Sequence, residues 1–199
     1  MTRPFRQQID EGILDQAAAL FARRGFAKTS VQEIADAVGL SKAGLLHHFP
    51  SKDALHTAVL VQAGVLGHQV LDQVQDMPLG VPRDRRALDA LVDVALAHPG
   101  MVALLLAPVM QGGADSAAPG VEDAGAAALR AFGVDPGTTD PERSVRVVGA
   151  LAALAVLTLA ANHENQTTVW RPLIVATCFD ALGHRRPSAG PSSSDQVEA

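Results

Sequence analysis

Residues 29–55 read TSVQEIADAVGLSKAGLLHHFPSKDAL, and their pattern predicts two short helices joined by a tight turn. Either hydroxyl of the opening Thr29-Ser30 pair can cap the first helix, with a glutamine or glutamate three residues later completing a capping box. Gly39 can take the left-handed backbone conformation that a tight turn requires. Ser41 then caps the second helix, so the stretch has the arrangement of a helix-turn-helix.

The flanking residues supply the helices that would support this pair. Apolar side chains recur at three- and four-residue spacing from Arg6 to Arg24, which is typical of an amphipathic helix, and Gly25 ends it. Ser51 caps a longer fourth helix. We therefore predict an N-terminal three-helix helix-turn-helix domain over residues 1–56, called the head below.

The remainder of the chain predicts a larger helical domain over residues 57–184, called the body below. Helical periodicity occurs at about 83–97, 100–111, 120–132, 140–163 and 167–183, between stretches rich in Gly, Pro, Asp and Ser. β-branched and aromatic residues never alternate with polar ones over a strand length, so we expect an all-α protein. Residues 185–199 hold too few apolar side chains to order themselves and are predicted to be a disordered tail.

Composition argues against several classes of protein. Cys178 is the single cysteine, so neither an intramolecular disulfide nor a structural zinc tetrad of cysteine and histidine can form. His47 and His48 are adjacent and cannot place two metal ligands on one helix face. The sequence offers no nucleophile with a base and no phosphate loop, so we expect no enzyme, no cofactor and no metal. The N-terminus lacks the apolar stretch of a secretory signal, which favours the cytoplasm.

The charge distribution is compatible with a nucleic-acid partner. The net charge of −5 argues weakly against one for the chain as a whole, because DNA-binding domains usually carry a basic face. Residues 1–56 hold seven Lys/Arg and six Asp/Glu, a net charge of +1, and the remainder carries −6. The acidic residues are therefore concentrated away from the helix-turn-helix.

One apolar run raises the question of a membrane. Residues 147–161 contain no charged side chain, but their 15 residues fall short of the ~20 that a membrane-crossing helix needs. About half of them are alanine or glycine. We therefore expect a buried helix and no membrane partner.

Four motifs of the head resemble the TetR family of bacterial repressors. They are Phe21-Ala22-Arg23-Arg24-Gly25-Phe26, Thr29 to Ala35, Val38-Gly39-Leu40-Ser41-Lys42 and Leu45 to Leu55. The resemblance covers about residues 6–56, and the rest of the chain matches only in length, helicity and helix count. It implies a dimeric transcriptional regulator, most simply a repressor, that binds a palindromic double-stranded DNA operator and is released by a small-molecule effector.

The resemblance also places a set of head residues at the DNA. These are Thr29, Ser30, Ser41, Lys42, Ala43, Gly44, Leu46, His47, His48 and Lys52. Thr29 and Ser30 would contact phosphates, Lys52 would clamp a phosphate, and the second short helix would face base edges. Leu46 and His48 stand where tyrosines are usual in the family. If a histidine meets phosphate, DNA affinity should rise as the pH falls from about 7.5 to about 6; the alternative is that both histidines are only exposed.

The resemblance assigns the last two helices to a four-helix dimer interface. An alanine-rich helix that is apolar nearly all round must be covered by something, which supports the homodimer independently. The expected interface residues are Gly149, Ala150, Ala153, Leu157, Trp170 and Ile174. An interior helix of a monomer is the alternative.

A ligand pocket is expected among the preceding helices. Its predicted lining residues, which could equally be ordinary core, are Leu66, Val70, Met101, Leu105, Val109, Met110 and Leu154. The few aromatic residues offer no stacking platform near them, so an apolar or amphipathic ligand is favoured over a planar one.

A second hypothesis is that a protein with this fold does not bind DNA. A helical dimeric scaffold, or a partner-binding protein without sequence-specific DNA binding, would not need the basic contacts of the head. Replacing Lys42 and Lys52 with alanine distinguishes the two hypotheses, because a scaffold would show no change in DNA affinity.

Overall fold

The computed structural model describes residues 3–110, 119–135, 137 and 139–184, with side chains described for residues 7–108 and from residue 119 onward within those ranges. All regular structure in these ranges is helical, which confirms the all-α prediction. The helices are α1 (Arg3–Arg24), α2 (Val31–Ala37), α3 (Lys42–His48), α4 (Lys52–Asp72), α5 (Val81–Ala97), α6 (Pro99–Met110), α7 (Pro119–Ala131), α8 (Pro141–His163) and α9 (Thr167–Ala181). The predicted tail, residues 185–199, lies outside the described residues.

Local capping explains why the short helices begin and end where the sequence predicts. The Ser30 hydroxyl accepts from the Glu33 amide at 3.2 Å, and the Ser30 amide donates to the Glu33 carboxylate at 2.8 Å. Ser30, rather than Thr29, therefore forms the capping box. Gly39 has a φ of 71°, as the turn between α2 and α3 requires. Ser51 caps α4 by accepting from the Ala54 amide at 3.0 Å.

The head packs around a small apolar core beneath α2 and α3. Phe21 of α1, Ile34 of α2, Leu45 of α3 and Leu55 of α4 are all buried within it. Leu45 is the one residue of α3 that is fully buried, so the helix is held by its inner side alone. This arrangement leaves the outer side of α3 uncovered.

The head and the body share one packed junction. The boundary that we predict at residues 56/57 falls inside α4, which continues from the head into the body. The head core also includes Met101 of α6 and Val121 of α7. A Cβ atom at Gly100 would lie 1.8 Å from the Asp15 carbonyl oxygen, so α1 and α6 touch through a glycine.

The body core lies between α5, α8 and α9. Its fully buried members include Val92, Val147, Ile174 and Cys178. Burial raises the pKa of the Cys178 thiol to about 11, so this thiol is protonated at neutral pH. Cys178 is thus a packing residue of the body core.

A buried polar cluster joins the helix ends at the base of the body. The Asp84 carboxylate accepts from the Arg143 guanidinium at 2.7 Å and lies 2.6 Å from the Nε2 atom of His184. Arg83 donates to the carbonyls of Met77 and Ala131 at 2.9 and 2.8 Å. These bonds connect α5 to the segments around α7, α8 and α9, and they satisfy two charged groups that would be costly to bury alone.

Within the described ranges, two helices, α4 and α8, are long and apolar enough to cross a membrane by length and composition alone, and the bent pair α5 and α6 would count as a third. Our length argument from residues 147–161 is therefore wrong, because α8 extends over 23 residues. One side of α8 is buried in the body core through Val147, Ala150 and Leu154. Its opposite side is exposed, and the lack of a membrane partner stays a prediction.

Candidate nucleic-acid interface and ligand cavity

Helix α3 presents a continuous outer face. Lys42, Ala43 and His47 are exposed and Leu46 is half-buried, while Leu45 points into the core. Positions 42, 43, 46 and 47 follow the four-residue repeat that keeps side chains on one side of a helix. Four of the residues predicted at the DNA are therefore brought together on one uncovered surface.

The two predicted serines lie at the starts of the short helices and are exposed. Ser30 caps α2, and Ser41 caps α3 by accepting from the Gly44 amide at 3.0 Å. Gly44 is half-buried directly beneath the Ser41 hydroxyl. A hydroxyl that accepts one hydrogen bond retains its own hydrogen as a donor. Both serines can therefore cap a helix and still donate to a phosphate.

Thr29 is not available for the phosphate contact that we predict. Its side chain is 1% exposed, and its hydroxyl donates to the Gly25 carbonyl at 2.9 Å. The prediction is wrong because this hydroxyl closes the end of α1, whereas its neighbour Ser30 caps α2.

Lys52 is engaged inside the head. Its Nζ atom donates to the carbonyls of Phe26 at 2.9 Å and Thr29 at 3.0 Å, and it lies 4.3 Å from the centre of the Phe26 ring. An ammonium group has three donors, so one remains for a phosphate. The structure thus gives Lys52 a structural role that the sequence interpretation missed, beside the predicted phosphate clamp.

His48 turns toward α1. Its Nδ1 atom lies 2.6 Å from Oδ1 of Asp10, and the ring is half-buried. A neutral ring that donates from Nδ1 leaves Nε2 as an acceptor, and only a protonated ring can also donate from Nε2. His48 is therefore anchored to α1 through one ring nitrogen, and its predicted contact with DNA would use the other.

The basic side chains of the head differ in whether they already have an ion-pair partner. Arg24 is paired with Glu33, and hydrogen bonds from Ser30 to that carboxylate lower the pKa of Glu33, so the pair stays charged. Arg23, Lys28 and Lys42 are exposed and form no ion pair with any other described residue. These three cations, together with the remaining donor of Lys52, are available to phosphate.

A cavity of about 430 Å³ lies in the body between α4, α5, α6, α7 and α8. Four of the residues predicted to line it do so: Leu66, Met101, Leu105 and Leu154. Val70 does not, because it is fully buried in the body core. The side chains of Val109 and Met110 lie outside the described residues.

The likeness to known proteins is carried by the head. A family model described as "Bacterial regulatory proteins, tetR family" matches residues 13–59. The head belongs to the TetR family. The α2 and α3 helices with the outer face of α3 all lie inside this TetR-family match.

Curated TetR-family relatives match the same region. The HTH-type transcriptional repressor KstR2 of Rhodococcus jostii is 48% identical over 48 residues, which is 24% of each chain. The HTH-type transcriptional regulator RutR of Escherichia coli K12 is 46% identical over 52 residues, 26% of this chain and 24% of its own. The chain thus matches about a quarter of the length of these relatives.

A solved structure extends the likeness in fold beyond the TetR-family head. A TetR-like transcriptional regulator from Rhodococcus sp. RHA1 aligns with a TM-score of 0.51 at 22% identity, covering 93% of this chain and 100% of that one. At this identity the alignment is evidence of a shared fold. It agrees with the predicted architecture of a small helix-turn-helix head on a larger helical body.

Two of the residues predicted for the dimer interface lie on the inner side of α8 and α9. Ala150 is 0% exposed and Ile174 is 2% exposed, so both belong to the core of their own subunit. Ala153, Leu157 and Trp170 are half-buried against the same core, and Gly149 is exposed.

The exposed apolar side chains lie on the opposite side, which we call the α8–α9 face. Its members are Val145, Val148, Gly149, Ala152 and Val156 of α8, with Val169 and Leu173 of α9. The sequence interpretation missed this side because α8 is apolar nearly all round and gives no contrast to fix its orientation. The signal that could have found it is the row Val145, Val148, Ala152 and Val156, in which successive residues are three or four positions apart.

Proposed function

We propose that this chain is a homodimeric, ligand-responsive transcriptional regulator, most simply a repressor, that binds operator DNA in the cytoplasm. The observation that carries the proposal is the uncovered outer face of α3 on a TetR-family head. A helix whose outer side is uncovered can enter the major groove of DNA.

The proposed DNA contacts are fewer than the resemblance implies. Lys42 and His47 would face base edges or nearby phosphates from α3, with Ala43 and Leu46 making apolar contacts. Ser30 and Ser41 would donate to the backbone at the two helix starts.

The α8–α9 face supports a homodimer. Val145 is 72% exposed and Val156 is 59% exposed on α8, and Val169 and Leu173 are each 61% exposed on α9. A group of large exposed apolar side chains on two packed helices is typical of a protein–protein interface. Two-fold pairing of two helices from each subunit would place two α3 helices on the two halves of a palindromic operator.

Helix α6 supports coupling between the cavity and the DNA. It lines the cavity with Met101, Val102 and Leu105. Its first amides, those of Gly100 and Met101, donate to the Asp15 carboxylate of α1 at 3.1 and 3.0 Å. A ligand that favours one position of α6 would therefore bias the position of the head. By linkage, ligand and operator would then weaken each other's binding equally.

This proposal is tested by comparing the DNA binding of two variants, one that loses a charge from α3 and one that loses a charge from the body. Lys42→Ala should weaken binding to the DNA upstream of the gene and lower the slope of log affinity against log salt by about 1. Arg85→Ala, an exposed change on α5, removes the same charge and should leave both quantities unchanged. Fluorescence anisotropy across a salt series, with scrambled DNA as reference, measures them. Equal binding by all three proteins to both DNAs would favour the scaffold instead.

A further inference from the structure

We propose that the cavity in the body takes a neutral ligand with an aliphatic body and one hydrogen-bonding group, and that His98 binds that group. This proposal names the ligand class of the cavity, and it rests on the proposed function only for the claim that the ligand regulates DNA binding. The binding itself depends only on the walls of the cavity.

The walls are almost entirely aliphatic. Twenty of the twenty-one described residues that line the cavity are Ala, Gly, Val, Leu or Met. None of them is charged, so an ionic group of a ligand would lose its hydration without gaining a counter-charge. None of these twenty is aromatic, so among the described lining residues only the imidazole of His98 offers a planar ring system a face to stack on. A volume of about 430 Å³ is within the range of sites for small molecules.

His98 is the single polar side chain among those described residues. Its backbone is fixed at the corner between α5 and α6, where its amide donates to the Val94 carbonyl at 2.9 Å and its carbonyl accepts from the Val102 amide at 3.2 Å. The ring itself forms no hydrogen bond with another described residue. A half-buried imidazole in an apolar wall can therefore donate to or accept from one polar group of a ligand.

The surroundings of His98 disfavour an anionic partner. The Asp15 carboxylate of α1 accepts from the amides of Gly100 and Met101, two and three residues beyond His98, and Asp15 is 8% exposed. A ligand carboxylate that bound His98 would approach this second carboxylate in a poorly hydrated place. A hydroxyl or carbonyl group avoids that repulsion and still satisfies the imidazole.

The probes are three molecules of equal chain length with different head groups. We would titrate 1-octanol, octanoate and octylammonium into the full-length protein by calorimetry at pH 7.5, without DNA. Octanol should bind, and the two ions should bind at least about tenfold more weakly because their charge has no partner in the wall. Octanoate or octylammonium binding as tightly as octanol would overturn the proposal, and so would the absence of binding by all three.

Two histidine variants test the anchor. His98→Leu should weaken octanol binding by about three- to tenfold, the range for one neutral hydrogen bond. His68→Leu is the matched control, since His68 is a half-buried histidine of α4 outside the cavity. Equal affinities in His98→Leu and the unmodified protein would remove His98 from the site, and an equal loss in both variants would show that the effect is not local.

A third variant tests the cavity itself. Ala128 lines it from α7, and Ala128→Phe should abolish octanol binding by filling the space, with helicity by circular dichroism unchanged. Retained octanol affinity in a folded Ala128→Phe protein would place the ligand elsewhere. Because DNA is absent from these titrations, a protein that binds octanol but no operator contradicts only the proposed function. One that binds operator but none of the probes contradicts only the ligand class.

Discussion

At the scale of single residues, burial decides which polar side chains of the head can meet DNA. Thr29 and Lys52 use their polar atoms to hold the end of α1 against the start of α4, and His48 uses one nitrogen on Asp10. Ser30 and Lys42 remain exposed. Fewer residues of the head can therefore contact DNA than the resemblance to the family implies.

The internal bonds of Lys52 predict a loss of stability that Lys42 does not share. Lys52→Ala removes two hydrogen bonds from a charged donor to the carbonyls of Phe26 and Thr29, and should lower the free energy of unfolding by about 1–3 kcal/mol. Lys42→Ala changes an exposed side chain and should lie within about 0.5 kcal/mol of the unmodified protein. Urea denaturation measures both. Equal stabilities would show that the Lys52 bonds contribute nothing.

His56 predicts a pH-dependent stability of the head. Burial lowers the pKa of His56, whose ring packs 4.6 Å from that of Phe26 and 5.2 Å from that of Phe21. The folded state therefore binds this proton less well than the unfolded state. The resulting stability is present above the ordinary histidine pKa of about 6.5 and is lost as the pH falls through the lowered folded value.

The matched variant for this effect is His56→Phe, which keeps a ring in the cluster. Between pH 7.5 and pH 5.5 the unmodified protein should lose more unfolding free energy than His56→Phe does. Urea denaturation at the two pH values measures the difference. Parallel losses would assign the acid sensitivity to other groups. The same comparison is needed before any gain in DNA affinity at low pH is attributed to His47 or His48.

At the scale of elements, the junction of α1 with α6 connects the head to the wall of the cavity. Asp15 accepts two amide hydrogen bonds from the first turn of α6, and Gly100 allows the two backbones to touch. Burial raises the pKa of Asp15, although these two amides and His98 oppose that rise. Burial of a carboxylate costs free energy unless its hydrogen bonds are intact. The junction of α1 with α6 is therefore stable only where both amides reach the Asp15 carboxylate.

Removal of the Asp15 carboxylate should lower the free energy of unfolding more than removal of the exposed side chain of Gln16. Asp15→Ala leaves two buried amides without an acceptor and should lower the free energy of unfolding by about 2–4 kcal/mol, from one to three for each unsatisfied group with partial relaxation. Gln16→Ala, an exposed change on the same turn of α1, is the control. Chemical denaturation compares them, and similar small losses in both would contradict a structural role for Asp15.

The boundaries of the short helices can be predicted from local sequence, whereas the orientation of α8 and the contacts between distant helices cannot. Ser30, Gly39, Ser41 and Ser51 act through atoms within a few residues, and the sequence therefore predicts the boundaries of the short helices well. The orientation of α8 depends on which neighbours cover it, and an alanine-rich helix gives no periodic contrast to reveal them. The bond between Asp15 and α6 joins residues 85 and 86 positions apart, which no local pattern indicates.

At the scale of the whole molecule, the α8–α9 face predicts how two chains associate. Leu173→Glu places a charge in the proposed interface and should convert the protein to a monomer. Val61→Glu is the control, because Val61 of α4 is also 61% exposed and lies away from that face. Light scattering after size exclusion measures the mass, with two chains expected for the unmodified protein and the control. A dimer that survives Leu173→Glu would place the interface elsewhere.

The central claim is that two copies of α3 read a symmetric DNA site. The most direct measurement is selection from a random pool of duplex DNA by the purified full-length protein, followed by sequencing of the bound molecules. The account predicts a two-fold symmetric motif whose half-sites are centred about one helical turn, or a multiple of it, apart. No enriched motif, or an enriched motif without two-fold symmetry, would contradict it.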